Sequence, residues 1–285
     1  MSTLEAIVLG IVQGLTEFLP ISSSAHLRIV PALFGWNDPG AAYSAVIQSG
    51  TLAAVCLALR RDIVDLARGS LAALRMGRPL GTPEARLTAL IALGTVPIVM
   101  AGFAFKDLIR SEARQLAVVI AALLGATAVM AVAELACLRR GRRTGSPGRE
   151  GLDRVCFFDG VVMGLAQMLA LVPGTSRSGI TISAGMLAGL GRRTAARFSF
   201  LLSLPAVAAA AILEAWQQRQ EILGGDAWAT LVGAVTAGIV GYVSIRWLLR
   251  MLTGHTLWPF IIYRICLAVL LAWLLASDWA AAPVA

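Results

Sequence analysis

The sequence predicts an all-α protein, a polytopic membrane helical bundle with an inverted-topology repeat, six spanning helices and two re-entrant helix-loop-helix hairpins. Three observations carry this reading. Of the 285 residues, 58% are hydrophobic and 14% charged, with a mean hydropathy of +0.79; soluble domains run at roughly 45–50% and about 25%. The apolar residues fall in blocks near the ~20 residues that cross a bilayer core as helix. Two further apolar segments are each interrupted midway by a polar, proline-containing cluster, and the two resemble one another. A water-soluble enzyme, a disordered chain and a fibre are excluded by the first two observations.

The clearest blocks are 87–105, 115–138, 228–249 and 257–277, while 41–59 and 196–216 are broken only by a few Ser, Gln or Pro. They are rich in Ala, Gly, Leu and Val and lack the period-2 alternation of a barrel strand, so they read as helices. The net charge of +8 does not point to nucleic acid, because the basic residues gather beside the spans, as the positive-inside bias requires. Residues 60–86 carry Arg60, Arg61, Arg68, Arg75, Arg78 and Arg86; residues 139–154 carry Arg139, Arg140, Arg142, Arg143, Arg149 and Arg154. The loops 106–114 and 217–227 are nearly balanced. With both basic loops in the cytoplasm, 41–59 enters from outside, 87–105 returns and 115–138 comes back in. Asp62–Met76 reads as an amphipathic helix on the cytoplasmic surface. Cys56, Cys137, Cys156 and Cys266 are scattered without a CxxC pair, so neither disulfide nor metal site is inferred. Met1 to Glu5 lacks the basic start of a signal peptide.

The broken segments are 4–34 and 155–190, each with apolar halves too short to span comfortably. A pair of half-helices returning to its own side fits better, and it also leaves Arg192, Arg193 and Arg197 in the cytoplasm. Gly10-Ile-Val-Gln13 and Pro20-Ile-Ser-Ser-Ser are matched by Gly164-Leu-Ala-Gln167 and Pro173-Gly-Thr-Ser-Arg, with one residue fewer in the second copy. Ala42–Gly50 likewise resembles Arg197–Pro205. The single membrane domain therefore divides into a first repeat, 1–138, a basic linker, 139–154, and a second repeat, 155–285. Each repeat is one hairpin and three spans, so the second starts on the opposite side, and the broken segments of such folds meet at a central site.

Ionisable residues at membrane depth are costly and mark functional sites. The first break offers Glu17, His26 and Arg28 with Ser22, Ser23 and Ser24; the second offers Arg177 among Thr175, Ser176 and Ser178. This set suits phosphate. Arginine presents a fixed fork of donors to phosphate oxygens, and hydroxyls with the free amides of a restarting helix form an anion cradle. Glu17 is a candidate ligand for a divalent cation. His26 is suited to proton transfer or attack on phosphorus, and Ser23 to nucleophile or simple donor. Gln13 and Gln167 occupy matching positions, where amides either bridge helices or touch phosphate or metal. Arg28 reads as a snorkelling or structurally paired cation, Arg264 as one with a structural partner such as a carboxylate, and His255 carries no role.

Gln13-Gly-Leu-Thr-Glu-Phe-Leu-Pro-Ile-Ser-Ser-Ser-Ala-His26 and Pro173-Gly-Thr-Ser-Arg-Ser-Gly179 resemble the two signature motifs of the bacterial undecaprenyl-diphosphate phosphatases of the bacitracin-resistance type. The resemblance covers nearly the whole chain, including Phe198-Ser-Phe-Leu-Leu and Pro259-Phe-Ile-Ile-Tyr-Arg264. It implies hydrolysis of a lipid diphosphate to the monophosphate and phosphate at the outer face of the bacterial plasma membrane, with Mg²⁺ or Ca²⁺. That reaction recycles the lipid carrier of cell-wall synthesis and underlies bacitracin resistance. The resemblance also implies that Glu17, Ser23, His26 and Arg177 carry the chemistry. Two departures stand out. Gln13 fills a position where the family has Glu or Gln, leaving one carboxylate fewer for a metal, and Ala25 stands where Gly is common. The implied partners are the lipid substrate and membrane lipids, with no nucleic acid; a homodimer stays open. The competing reading is a secondary transporter or flippase of prenyl phosphate lipids, which such inverted repeats also build. An acid phosphatase of the lipid-phosphate type would need a second catalytic histidine, and only His26 and His255 are present.

Overall fold

The computed structural model describes residues 1–37, 40–105, 115–217, 219–220 and 227–276; loop 106–114 and most of 217–227 lie outside the described residues. Caps and breakers divide the apolar sequence where local chemistry requires. Helix α1 (Thr3–Phe18) opens on a capping box. The Ser2 hydroxyl accepts from the Glu5 amide at 3.2 Å, and the Glu5 carboxylate accepts from the Ser2 amide at 3.0 Å. It stops before Pro20, which disfavours helical backbone in the residue ahead of it. Helix α2 (Ser23–Phe34) ends on Gly35 at φ 66°, the left-handed cap that glycine adopts without strain. After α3 (Gly40–Ala58) and α4 (Arg60–Arg75), Thr82 caps α5 (Pro83–Ala104) by accepting from the Ala85 amide at 3.1 Å. Pro83 sits in the first turn, where its missing N–H costs nothing.

The remaining described α-helices are α6 (Leu116–Thr144), α7 (Phe157–Met168), α8 (Arg177–Leu187), α9 (Arg192–Gln217), α10 (Ala227–Met251) and α11 (Trp258–Ala276). Helix α6 runs past the expected end at 138. Arg139, Arg140, Arg142 and Arg143 are good helix formers and suit the negative end of the dipole. Among the described residues five helices, α5, α6, α9, α10 and α11, are long and apolar enough to cross a bilayer. The expected span 41–59 coincides with α3, which is apolar over Val46–Ala58. Both broken segments appear as two short helices around a turn, α1 with α2 and α7 with α8.

Small residues let the helices approach closely, as membrane interiors favour. Helix α1 lies on α10, where a Cβ on Gly10 would stand 2.6 Å from the Gly233 carbonyl oxygen and one on Gly14 2.8 Å from that of Ala237. Helix α7 lies on α5, where a Cβ on Gly164 would stand 2.6 Å from Gly94 Cα. The first helix of each hairpin thus packs on a long helix from the other part of the chain. The main core gathers Met130, Met163 and Ile182, all fully buried, with Phe18 edge-on to Phe200 at 5.6 Å.

At one end of the bundle, arginines tie the elements together. Arg149 donates to both oxygens of the fully buried Asp159, at 3.0 and 2.7 Å, and to the Ala188 carbonyl at 3.0 Å. One side chain therefore joins the start of α7 to the end of α8. Backbone bonds from Arg149 to Gly189 and from Gly191 to Arg149, both 2.9 Å, seal the linker against this end. Arg197 on α9 pairs with Asp62 on α4 at 2.7 Å. Arg192 pairs with the fully buried Glu134 of α6, its Nε lying 3.0 Å from each carboxylate oxygen. Glu134 also accepts from the Leu257 amide at 3.1 Å.

Candidate active site at the two hairpin tips

Each hairpin tip turns on a serine in a conformation that L residues rarely adopt. Ser22 has φ 77° and ψ 96°, and Ser176 has φ 68° and ψ 107°; each immediately precedes the second helix of its hairpin. These are the described non-glycine residues with positive φ. Strain of that kind costs on the order of 1–3 kcal/mol and persists only where the surroundings over-determine it. Around them the tips repeat one pattern. The Ser22 and Ser24 hydroxyls lie 3.3 Å apart, as do those of Ser176 and Ser178. The tips also reach across to each other: the Gly174 amide donates to Ser24 Oγ at 3.3 Å, and Ser178 Oγ to the Leu19 carbonyl at 3.2 Å.

Glu5 with Asp159, Gly10 with Gly164, Gln13 with Gln167, Ser22 with Ser176, Ser24 with Ser178 and Gly35 with Gly189 correspond at one constant offset along the chain. Within the two broken segments the match therefore needs no gap. Pairing Pro20 with Pro173, as the motifs suggest, slips the register by one, because the backbone turn sits at the serine and not at the proline. At that offset Ser23 corresponds to Arg177, Glu17 to Leu171 and His26 to Ile180.

Glu17 is the centre of the polar cluster, almost completely buried at the end of α1. Its Oε1 accepts from Arg177 Nη2 at 2.8 Å, across the two tips. Its Oε2 accepts from Ser23 Oγ at 2.8 Å and from Gln13 Nε2 at 3.2 Å. Gln13 and Glu17 lie four residues apart, one helical turn, so they share a face. Arg177 Nη1 and Gln13 Oε1 are buried and have no partner among the described residues. Buried polar atoms are nearly always satisfied, so this donor and this acceptor are open to water or a ligand.

His26 is not part of that cluster. Its Nδ1 lies 2.7 Å from the Ser22 carbonyl oxygen and its Nε2 2.6 Å from the Tyr263 hydroxyl. Glu17, bonded to Arg177, Ser23 and Gln13, makes no hydrogen bond to His26. Tyr263, on α11, was not singled out by the sequence, which carries no periodic signal tying that span to either break. Gln167 is fully buried with neither amide atom partnered among the described residues. Thr175 is buried beside the second tip, and its carbonyl accepts from Arg264 Nη2 at 3.2 Å.

Arg264 has the structural partners expected of it, but they are a hydroxyl and carbonyls in place of a carboxylate. Completely buried, it donates to Thr127 Oγ1 at 2.7 Å and to the carbonyls of Leu123 at 2.9 Å and Gly174 at 3.2 Å. Carbonyl oxygens left free where α8 restarts take the place of an acid. Arg28 is exposed on α2, and His255 lies exposed with its Nδ1 3.2 Å from the Met251 carbonyl oxygen.

A helical membrane bundle in which two interrupted segments join a serine, a carboxylate and a guanidinium defines a membrane protein with a buried polar site fit for an oxyanion. The chain belongs to the bacitracin resistance protein BacA family, whose description matches residues 6–270. It is 50% identical over 273 residues to an undecaprenyl-diphosphatase of Chlorobaculum tepidum, covering 94% of this chain and 95% of the relative. It is 47% identical over 279 residues to one of Chlorobium chlorochromatii (97% and 98%). A third, of Chlorobium phaeobacteroides, is 48% identical over 281 residues (98% and 99%).

Proposed function

We propose that this protein is an undecaprenyl-diphosphatase of the bacterial inner membrane, hydrolysing the lipid diphosphate to the lipid monophosphate and inorganic phosphate. The observation that carries the reading is Glu17, which binds the Ser23 hydroxyl on one oxygen and the Arg177 guanidinium on the other. A nucleophile within hydrogen-bond reach of a base, itself oriented by a third group, is the recurring arrangement of covalent catalysis. Ser23 Oγ attacks the terminal phosphorus while its proton passes to Glu17 Oε2. The bridging P–O bond breaks and the lipid monophosphate departs. Water then attacks the phosphoserine, the Oγ–P bond breaks, and phosphate leaves as Ser23 regains its proton. Arg177, through its unpartnered Nη1, holds the phosphoryl oxygens as charge develops. Ser22, Ser24, Ser176, Ser178 and Thr175 form the rest of the cradle, with Gln167 in a supporting position.

The donor set fits a hard divalent cation. Among the described residues no three His, Cys, Asp or Glu cluster, but Mg²⁺ is commonly held by one or two carboxylates together with substrate phosphates and water. Glu17 and the unpartnered Gln13 carbonyl are the residues that would hold Mg²⁺ or Ca²⁺. When bound, the ion neutralises phosphate charge.

The experiment is phosphate release from the lipid diphosphate by the purified chain in detergent. The parent is expected to release phosphate, and Ser23→Ala to release less than about a hundredth as much. A flippase would bind the lipid and release none, and a Ser23→Ala variant as fast as the parent would remove the serine from the role of nucleophile.

The finer topology belongs to the same proposal. We read α3 as a sixth span and both hairpins as re-entrant, one in each of two inverted repeats, 1–138 and 155–285. Arg149 supports this by holding both ends of the second hairpin together. The first is closed comparably, with Tyr43 donating to the Ala6 carbonyl at 2.9 Å and Val30 and Trp36 packed on the same cluster. The linker then lies in the cytoplasm and the tips open to the outer face. With the four native cysteines replaced, a Ser146→Cys chain in intact cells is expected to resist a membrane-impermeant maleimide until the membrane is opened. Labelling from outside overturns the orientation.

A further inference from the structure

His26 lies one turn beyond Ser23 on α2, and both of its ring nitrogens are engaged. The Ser22 carbonyl oxygen, 2.7 Å from Nδ1, can only accept, so in the neutral ring Nδ1 carries the hydrogen. Nε2 is then an acceptor, and the Tyr263 hydroxyl at 2.6 Å donates to it. The two rings are nearly parallel, 12° apart, with centroids separated by 5.7 Å. The carbonyl that fixes the imidazole belongs to the strained residue on which the first tip turns. The next residue on α11, Arg264, holds the carbonyls of Gly174 and Thr175 in the second tip. One turn of α11 therefore fastens both tips.

We propose that Tyr263 is a positioning residue of the active site. Its hydroxyl holds His26 in the Nδ1–H tautomer, and His26 in turn holds the Ser22 turn from which Ser23 projects toward Glu17. The effect on turnover rests on the phosphatase reading above; the tautomer does not. Rotation of a phenol costs little, so the restraint resides in the complete chain of three groups: Tyr263 hydroxyl, His26 ring and Ser22 carbonyl.

The chain has two histidines, His26 and His255, so ¹⁵N-histidine labelling in detergent micelles gives two imidazoles, assigned with His255→Asn. The parent is expected to show His26 protonated on Nδ1 alone, and Tyr263→Phe, which keeps the ring, to move the Nε2 signal and mix the tautomers. A parent spectrum with the hydrogen on Nε2, or Nε2 unmoved in Tyr263→Phe, overturns the proposal. In phosphate release, Tyr263→Phe is expected to lower kcat about tenfold, the scale of one lost hydrogen bond, with KM within about twofold. On a His26→Ala background the same substitution should change kcat less than about twofold. An equal loss on both backgrounds means that Tyr263 does not act through His26. A parent with the expected tautomer and no phosphate release instead overturns the phosphatase reading and leaves the tautomer assignment standing.

Discussion

Arg177→Ala is expected to lower phosphate release from a prenyl diphosphate at least about 100-fold, the usual scale for removing one preorganised donor to a developing oxyanion. Two losses combine in it. The free Nη1 donor disappears from the cradle, and Glu17 loses the cation 2.8 Å from its Oε1. Arg177→Lys separates them, because it restores the charge without the planar fork, and should recover only part of the rate. The tips remain joined by the Gly174–Ser24 and Ser178–Leu19 bonds, so folding should survive. Glu17→Ala is expected to cost a similar factor, since it strips Ser23 and Arg177 of their shared acceptor. If both alanine variants keep more than about a tenth of parent activity, the site is misplaced.

The largest effect on stability is expected away from the chemistry. Glu134→Ala should destabilise the protein by about 3–5 kcal/mol, because one partner of a buried ion pair is left uncompensated. Glu134 is fully buried and the Arg192 side chain is 11% exposed; the Leu257 amide also loses its acceptor. At roughly 2–4 °C per kcal/mol for a chain of this size, the midpoint should fall by about 10 °C. Replacing both partners, Glu134→Leu with Arg192→Met, should recover at least half of the loss, since an apolar pair needs no compensating charge. Thermal unfolding in one detergent measures both variants. A loss below about 1 kcal/mol for Glu134→Ala would show that water reaches the pair.

The sequence made the helices legible because their boundaries are local. Ser2 with Glu5, Pro20, Gly35 and Thr82–Pro83 each act within one turn of themselves, and each marks an observed boundary. The Gln13–Glu17 contact follows from helical spacing alone. Contacts between elements were less readable. Arg177 and Glu17 were brought to one site by the resemblance between the two breaks, yet their direct pairing is a tertiary event. The choice of Ser23 over its neighbours as the partner of Glu17 depends on the positive φ of Ser22, which a serine does not advertise as a glycine would. Arg149 and Arg192 looked like orientation charges, because a basic run carries no mark of the acid it will meet. Arg264 looked for a carboxylate and found carbonyls, since the free oxygens of a broken helix are absent from a list of side chains. Tyr263 fell within the Pro259–Arg264 stretch of the resemblance, yet nothing local assigned it a role or tied it to His26.

The two tips share a backbone frame and differ in what hangs on it. A frame of near two-fold character would seat a diphosphate equally well in either direction, and half of all encounters would present the wrong phosphorus to a nucleophile. Leu171 where the other tip has Glu17, Ile180 where it has His26, and Arg177 where it has Ser23 remove that degeneracy. On the proposed reading, serine and base belong to the first tip and the guanidinium to the second, so the seat has a head and a tail. A phosphatase of the kind proposed would hold one reaction centre with a fixed polarity, and a substrate whose lipid tail enters from the opposite direction would meet leucine and isoleucine at the positions that correspond to Glu17 and His26.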